Sequence, residues 1–463
     1  METIGKDDQL YLAVDVGGTK IQASLVKESG VILGRTKQPT PRPGGPEAIL
    51  AAIEETLREA LQHDDEQIDP KRLRAIGIAI PGVVDSDSGL IVVTPNMNLG
   101  QVAIGPHFEN VFQAPVSVGN DCNLGTLGEK WLGSARWASS AVGIFVGTGI
   151  GAGIVQGESL WSGSQNCAAE IGHIVMQIGG PLCGCGNRGC LEALASRTAM
   201  ERDIREAVAA GRETMLTELL EGDLSLIRSG ALKKALLAED ELVQDILGRA
   251  AEVLGHACLT VRHLLDPEVV VLGGGVCEAC GEFVMPKVER IVADDKLMVS
   301  QPASTSPHPP VLLSALGDDA VVLGAVALAR IDVGRSPFKK RFSTTLNYPK
   351  INMEQAGKMV VGRNSYKRDI SIRVNGRVKK WKRPDELAPE RIGREEVVKA
   401  CQGGPEVFIV GVHDPDRVQL TEEARQFLRL RTIVHHVLSV DEAITAYNDS
   451  PKRKAGLFQL QSL

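Results

Sequence analysis

The chain has 463 residues, 43% of them hydrophobic and 4% aromatic, with a formal net charge of −7; that length exceeds one usual domain, and aliphatic packing must dominate its core. No apolar run is long enough to cross a bilayer, METIGKDDQL lacks the charged-then-apolar pattern of a secretory signal, and nine cysteines, an odd number, fit a reducing compartment better than a disulfide framework. A cytoplasmic location is therefore expected, and the uneven charge, −16 over residues 1–335 and +9 over residues 336–463, predicts two regions of different character.

Residues 10–35 predict three short strands: LYLAVDV, then IQASLV after a GGTK turn, then VILGRT after Gly30. TPRPGGP is a loop, and a helical pattern runs from Glu47 to about Gln62. RAIGIAIPG predicts a buried strand ending in a Pro-Gly turn. PVSVGND predicts another, stopping at a polar pair, with a helix from Asn123 to Trp131. SSAVGIFVGTGIGAGIV then repeats the opening plan of strand, Gly/Thr turn and strand, so AVDVGGTKIQASLV and GIFVGTGIGAGIVQ predict two related α/β lobes. Residues 197–265 are almost wholly helical in pattern. PEVVVLGGGV is a buried strand running into glycines, and DDAVVLGAVALAR is an apolar helix that closes the core. RIDVGRSPFKKRFSTTLNYPK, rich in breakers and basic residues, predicts a linker. Beyond it, DISIRVNGRVKKW predicts a hairpin around Asn-Gly. PEVFIVGV is a strand, LTEEARQFLRL a helix, TIVHHVLS a strand and VDEAITAYND a helix, which together make a compact α/β domain.

Three glycine turns close predicted strands: Asp15-Val16-Gly17-Gly18-Thr19-Lys20, Gly147-Thr148-Gly149-Ile150-Gly151, and Gly273-Gly274-Gly275. Successive amides in such turns form a concavity of phosphate size, and the hydroxyls of Thr19 and Thr148 add donors. Asp15, at a strand end, suits Mg²⁺ held through water. None of the turns has the GK[ST] of a Walker loop. A single one reads as a plain tight turn; three, two of them in duplicated surroundings, point to a nucleotide. Asn120-Asp121 closes another strand. Asp121 reads either as a base taking a proton from a substrate hydroxyl or as the cap of the helix that follows.

The most specific local pattern is PLCGCGNRGCLE preceded by EIGH. Cys183, Cys185, Cys190 and His173 make a closed four-ligand set of the kind zinc takes when its role is structural. Gly184, Gly186 and Gly189 let the loop turn tightly. Glu170 and Glu192 flank the set, so a metal that fixes the loop also fixes two carboxylates, and carboxylates suit sugar hydroxyls.

These segments together resemble the ROK family of sugar kinases and sugar-responsive repressors. VDVGGTKI resembles its first phosphate motif, VGND its catalytic segment, VGTGIGAGIV its second phosphate motif, EIGHI its sugar-binding stretch and CGCGNRGCLE its zinc motif. The resemblance covers roughly residues 10–330 and implies the two-lobed, actin-like (ribonuclease-H-like) α/β ATPase fold. It implies a kinase over residues 8–332, with lobes of about 8–120 and 121–332, a linker over 333–347 and a small α/β domain over 348–463.

Carried over residue by residue, the resemblance implies that Asp121 is the catalytic base. Gly82, Asn96, Asn120, Glu170, His173 and Glu192 would line the sugar site, with His173 using one ring nitrogen for zinc and the other for a hydroxyl. Asp15, Gly17, Gly18, Thr19, Lys20, Thr148, Gly149, Gly274 and Gly275 would hold ATP and Mg²⁺. The implied reaction is transfer of the γ-phosphoryl of ATP to a hexose hydroxyl, O6 of glucose being the family's commonest acceptor, in a homodimer. Ala169 in SQNCAAE departs from the family, which has Gly before the Glu of EIGH, and leaves the sugar open. The alternative is a non-catalytic sugar sensor or scaffold. Only about nine residues precede the first strand, too few for the DNA-reading module of the family's repressors, so binding to a nucleic acid operator is not expected.

The C-terminal segments ISIRVNGRVKKW, PEVFIVGV and VDEAITAYN resemble a small α/β family of unknown biochemical function that includes a mitochondrial complex I assembly factor. It implies no catalytic residues, and the partner stays unnamed. The basic stretch RNSYKRDISIRVNGRVKKWKR reads as the solvated face of a hairpin, with Ile370, Ile372, Val374 and Val378 inward, rather than as a nucleic-acid surface.

Overall fold

The computed structural model describes residue 4 and residues 8–42, 44–63, 66–95, 97–297, 310–338, 348–355, 357–382, 387–388 and 390–460. Asn96 and most of the predicted linker lie outside the described residues. Contacts divide the chain into two compact units. One comprises Met1–Gly119, Trp131–Gly133 and Ala325–Leu463; the other comprises Asn120–Lys130 and Ser134–Gly324. No helix among the described residues is long and apolar enough to cross a membrane.

The first unit opens with β1 (Leu10–Val16), β2 (Lys20–Lys27) and β3 (Ile32–Pro39), followed by helix α1 (Gly45–Ala60) and β4 (Leu73–Ile80). With β5 (Val116–Asn120) these strands form a sheet of order β3-β2-β1-β4-β5. β1 and β2 pair antiparallel, β2 and β3 likewise, and β1 pairs parallel with β4. Helix α1 starts with a proline and Glu47 in its first turn, both favourable at the positive end of a helix. It buries Ile49, Ala52, Ile53, Thr56, Leu57 and Ala60, the 3.6-residue repeat of a one-faced helix. Ile53 and Leu57 pack with Leu12, Val14 and Ile78 in one core, where each fully buried aliphatic contributes about 1.5–3 kcal/mol.

The second unit repeats this plan. Helix α2 (Asp121–Leu132) leads to β6 (Ser140–Val146), β7 (Ile150–Gln156) and β8 (Ser159–Leu160). After the short helix α3 (Leu191–Ala195) come α4 (Arg197–Ala209) and α5 (Glu241–Leu265), then β9 (Val269–Gly273), α6 (Gly274–Ala293) and β10 (Val311–Leu313). The sheet order is β8-β7-β6-β9-β10. β6 pairs antiparallel with β7 and parallel with β9, as β1 does with β2 and β4. The predicted duplication is thus present strand for strand, and the architecture is that of the actin-like, ribonuclease-H-like ATPases.

Helix α7 (Ala320–Asp332) ends the repeated plan. Arg330 near its end is buried, donates to the Glu28 carbonyl (2.7 Å) and lies over the Trp131 ring. Arg335 forks onto the Glu28 carboxylate at 2.6 and 3.1 Å, which fixes the start of the predicted linker.

The C-terminal α/β region has its own five-stranded sheet. Its elements are β11 (Ile370–Ile372), β12 (Val378–Lys380), β13 (Val407–Val412), β14 (Val434–Ser439), α8 (Val440–Asp449) and β15 (Lys454–Phe458). The order is β12-β11-β15-β13-β14. The Asn-Gly hairpin forms as expected; Ile370, Ile372 and Val374 are buried, Val378 is half-buried, and Lys379 and Lys380 face solvent. β15 was not expected from the sequence, although it is the middle strand. Ser439 and Glu442 cap α8 reciprocally.

Candidate functional site

His173, Cys183, Cys185 and Cys190 converge in the second unit, their ligand atoms all within 4.8 Å of one another. The loop closes through Cys183 N–H to the Asn187 carbonyl (2.8 Å) and an isolated bridge between Val175 and Cys190. Gly186 and Gly189 adopt positive φ, as the turn requires, and Gly184 does not. Cys185 Sγ lies 3.8 Å from Cys190 Sγ, and Cys183 Sγ lies 3.6 Å from His173 Nδ1. A tetrahedral zinc with Zn–S of about 2.3 Å and Zn–N of about 2.0–2.1 Å demands edges of about 3.8 and 3.6 Å. The donor set therefore fits zinc. Burial pushes the Cys183 and Cys190 thiols up, while a backbone hydrogen bond from Asn187 pulls Cys185 down.

Two carboxylates border the set. His173 Nε2, the nitrogen turned away from the thiols, is 3.9 Å from Glu170 Oε2. Glu192, in α3, sets Oε1 3.6 Å from Cys183 Sγ and accepts the Ile150 amide on Oε2 at 2.9 Å. Ile150 follows the Gly147-Thr148-Gly149 turn, so one side chain joins the cysteine loop to the glycine turn. A Cβ at Gly149 would lie 2.3 Å from Glu192 Oε2, so any side chain there would have to push the Glu192 carboxylate aside. The 3-10 turn Ile171–His173 rests on the same residue, since a Cβ at Gly172 would lie 1.9 Å from the Ile150 carbonyl oxygen. Ala169, just before Glu170, holds φ +68°, a left-handed conformation that costs an alanine about 1–2 kcal/mol.

Asn120 and Asp121 stand at the junction of β5 and α2. Asn120 Oδ1 accepts the amides of Cys122 (2.9 Å) and Asn123 (3.0 Å), so the cap is Asn120. That corrects the reading in which Asp121 serves as the cap. Asp121 Oδ1 also accepts the Cys122 amide, at 2.8 Å. Burial raises the Asp121 carboxyl above its ordinary value of 3.8, against the pull of the Cys122 amide. The helix start sits directly on β7: a Cβ at Gly151 would lie 2.4 Å from Cys122 Sγ.

The second and third glycine turns are brought together. Gly274 opens α6 at φ +81°, and a Cβ there would lie 2.7–2.8 Å from the Val146 backbone. Ser229 Oγ borders Gly275. Two cations at this point escaped the sequence reading. Arg197 Nη2 donates to Thr148 Oγ1 at 2.6 Å, and Thr198 Oγ1 donates to the Thr148 carbonyl at 2.8 Å. Arg197 Nη1 and Arg228 Nη1 share the Ile227 carbonyl at 3.4 and 2.8 Å. Burial, then the neighbouring Arg228 charge, lowers the Arg197 pKa. Two guanidiniums, a helix N-terminus and a hydroxyl-bearing turn make an environment for a polyanion.

The first glycine turn belongs to the first unit. Asp15, half-buried, pairs with Gln22 near the end of β1. Gly17 N–H donates to the Lys20 carbonyl (2.9 Å), and Gly18, Thr19 and Lys20 are exposed. Thr40 anchors the turn by donating its hydroxyl to the Gly17 carbonyl (2.6 Å) and its amide to the Thr19 carbonyl (3.1 Å). Gly82, at φ +110°, turns the chain after β4 against the Val93 carbonyl.

Known proteins resemble this chain. A model of the ROK family matches residues 11–331. A glucokinase of Thermotoga maritima is 33% identical over 325 residues, 70% of this chain and 98% of that protein. An N-acetylmannosamine kinase of Escherichia fergusonii is 32% identical over 322 residues, 69% of this chain and 98% of that protein. Among solved structures, a ROK family glucokinase from Streptomyces griseus in complex with glucose and AMPPNP superposes with a TM-score of 0.59 at 31% identity, covering 70% of this chain and 99% of that one.

Proposed function

The chain belongs to the ROK family and is an ATP-dependent sugar kinase, and from that premise we propose that its acceptor is a hexose hydroxyl, O6 of glucose in the first instance. One observation carries the reading: Glu192 joins the four-ligand cysteine loop to the amide that follows the Gly147-Thr148-Gly149 turn. A group holding sugar hydroxyls and a turn holding phosphate are thereby kept in fixed register within the second unit.

Asp121 is the general base. Its carboxylate takes the acceptor hydroxyl's proton, and its raised pKa brings it closer to the pH at which it works as a base. Asn120, by capping α2 itself, releases Asp121 for that task. Glu170, Glu192, His173 through Nε2 and Asn120 bind and orient the sugar, with Gly82 and Asn96 as further lining. Thr148, Gly149, Gly274 and Gly275 cradle nucleotide phosphate, as do Gly17, Gly18, Thr19 and Lys20, and Asp15 holds Mg²⁺ through water. Arg197 positions Thr148 and, with Arg228, offsets the charge of the phosphates. Phosphoryl transfer depends mostly on such positioning and charge stabilisation.

Zinc, when bound by His173, Cys183, Cys185 and Cys190, supplies structural cross-linking of the loop, and no open position remains for water. His173 Nδ1 faces the thiols, so the ring is fixed and Nε2 is presented toward Glu170. The reading carries with it a cytoplasmic homodimer. The C-terminal region, residues 348–463, is proposed to belong to the small α/β family of the complex I assembly factor, serving as a partner-binding appendage.

The test is ADP release measured with a panel of hexoses and amino sugars, using Asp121→Asn as control. ATP- and sugar-dependent turnover that the variant lacks is expected. Absence of turnover with every monosaccharide would sink the proposal.

A further inference from the structure

Glu129 is fully buried in α2, the helix that begins with Asp121. Its carboxylate accepts from four donors, all of them uncharged. Oε1 takes the Ser314 hydroxyl at 2.6 Å and the Leu316 amide at 2.9 Å. Oε2 takes the Ser134 amide at 2.7 Å and the Ala315 amide at 3.2 Å. Ser314, Ala315 and Leu316 belong to the loop that follows β10. Burying a carboxylate is a costly way to join a helix to a loop. What it supplies is direction, since both oxygens are used twice and each donor must point at them.

That loop backs the third glycine turn. Ser314 N–H donates to the Leu272 carbonyl at 2.8 Å, and a Cβ at Gly273 would lie 3.2 Å from Ser314 Cβ. Ser314 therefore stands against the last residue of β9, just before Gly274 opens α6. Ser314 Oγ, while donating to Glu129, accepts the Gly317 amide at 3.1 Å and closes the loop on itself. Gly317, at φ +55°, carries the loop beside α6, where a Cβ would lie 3.5 Å from Glu278 Oε2. From β6, the Phe145 ring fills the space between α2 and the turn: a Cβ at Gly125 would meet it at 2.9 Å and one at Gly273 at 2.7 Å. Helix α2 is thus joined to the third turn twice, by the Phe145 ring and by Glu129.

We infer that Glu129 is a positioning residue for the nucleotide: through Ser314 it fixes the Gly273-Gly274-Gly275 turn, a role that rests on reading that turn as a phosphate contact. Glu129 itself touches no phosphate. Phosphoryl transfer depends mostly on placement. A helix with the base at its start and the support of a phosphate turn further along keeps both in one frame.

Full-length wild type, Glu129→Gln, Ser314→Ala and Gly275→Ala are titrated calorimetrically with AMPPNP in the presence of Mg²⁺ and, separately, with glucose; urea unfolding is followed for each. Gly275→Ala puts a methyl group in the turn itself, at a residue outside the positive-φ glycines, and reports whether the turn meets nucleotide. Glu129→Gln and Ser314→Ala should each weaken AMPPNP by about tenfold or more, the effect of losing a charged hydrogen bond, with glucose affinity unchanged. Combined in one chain they should weaken it by less than the product of the separate effects, because they interrupt one path. Ser314→Ala, which removes only a hydroxyl, serves if Glu129→Gln fails to fold. A lower urea midpoint with unchanged AMPPNP affinity makes Glu129 a stabilising residue only and overturns the role. An equal loss of glucose affinity, the mark of general loosening, overturns it too. If Gly275→Ala weakens AMPPNP while Glu129→Gln and Ser314→Ala do not, the role falls and the turn keeps its phosphate. If Gly275→Ala has no effect, the phosphate reading of the turn falls, and the route through Ser314 falls with it.

Discussion

Ile150 donates its backbone amide to Glu192 Oε2 at 2.9 Å, so the strand that leaves the second glycine turn is held by a carboxylate two residues beyond the last cysteine of the four-ligand loop. Whatever moves the loop moves Glu192, and whatever moves Glu192 loosens the turn.

Cys185→Ser should therefore do more than lower metal content. Zinc per chain, read by elemental analysis, is expected to fall, and hexose KM to rise by about 10–100-fold, the range seen when support for a ligand set is lost. A metal-free variant with ordinary KM would separate the loop from the sugar.

Asp121→Asn keeps the shape of the side chain and removes the proposed base. Turnover is expected to drop by roughly 10²–10⁴, with sugar affinity by calorimetry unchanged. An active variant would reject the role.

The raised pKa of Asp121 has a definite sign in pH experiments. The proposed base must be ionised, so kcat/KM should fall on the acid side with a midpoint above 3.8. For stability the sign is reversed: a carboxyl whose pKa is higher folded than unfolded favours folding when protonated. That contribution is full below the unfolded value and is lost as pH rises through the folded one. At neutral pH Asp121→Asn should consequently be the more stable protein in urea, and the gain should vanish in acid. Equal stability of the two proteins at neutral pH would contradict the burial penalty.

Ala169 sits at φ +68°, where the resemblance to the family's motif leads to an expectation of glycine. Ala169→Gly should relieve the strained backbone and raise stability by about 1 kcal/mol, read as a higher urea midpoint with unchanged slope. A lower midpoint would mean that the methyl group packs usefully.

Arg197→Ala removes the hydrogen bond to Thr148. A charged hydrogen bond contributes about 1.5–3 kcal/mol, so kcat/KM for ATP should fall by about 10–100-fold while sugar affinity holds. Arg197→Lys should recover only part of the loss, since an ammonium lacks the fork. Full rescue by lysine would reduce Arg197 to a simple charge.

How much of this was legible in the sequence depended on how local each signal was. The cysteine loop is confined to a few residues, and its ligand types point to one chemistry. The doubled strand-turn-strand plan could be read because each copy carries its own glycine turn. The identity of the α2 cap could not be read, because Asn120 and Asp121 are both good caps and only the helix start decides between them. Arg197 and Thr148 are 49 residues apart, and an arginine in a helical run reads as solvated surface. Helix α6 was hidden by its opening glycines and the internal Pro286. β15 was hidden because Lys454 looks like part of a basic turn, whereas its amine is buried against Tyr348 and Tyr447.

The place of β15 between β11 and β13 bears on how the protein is made. A ribosome must deliver Phe458 before the C-terminal sheet has its centre; until then Ile372 and Ile409 flank an open seam with unpaired amides on both sides. A frameshift or early stop in those few codons would split the sheet rather than trim it, and would leave two sticky edges for another nascent chain to fill.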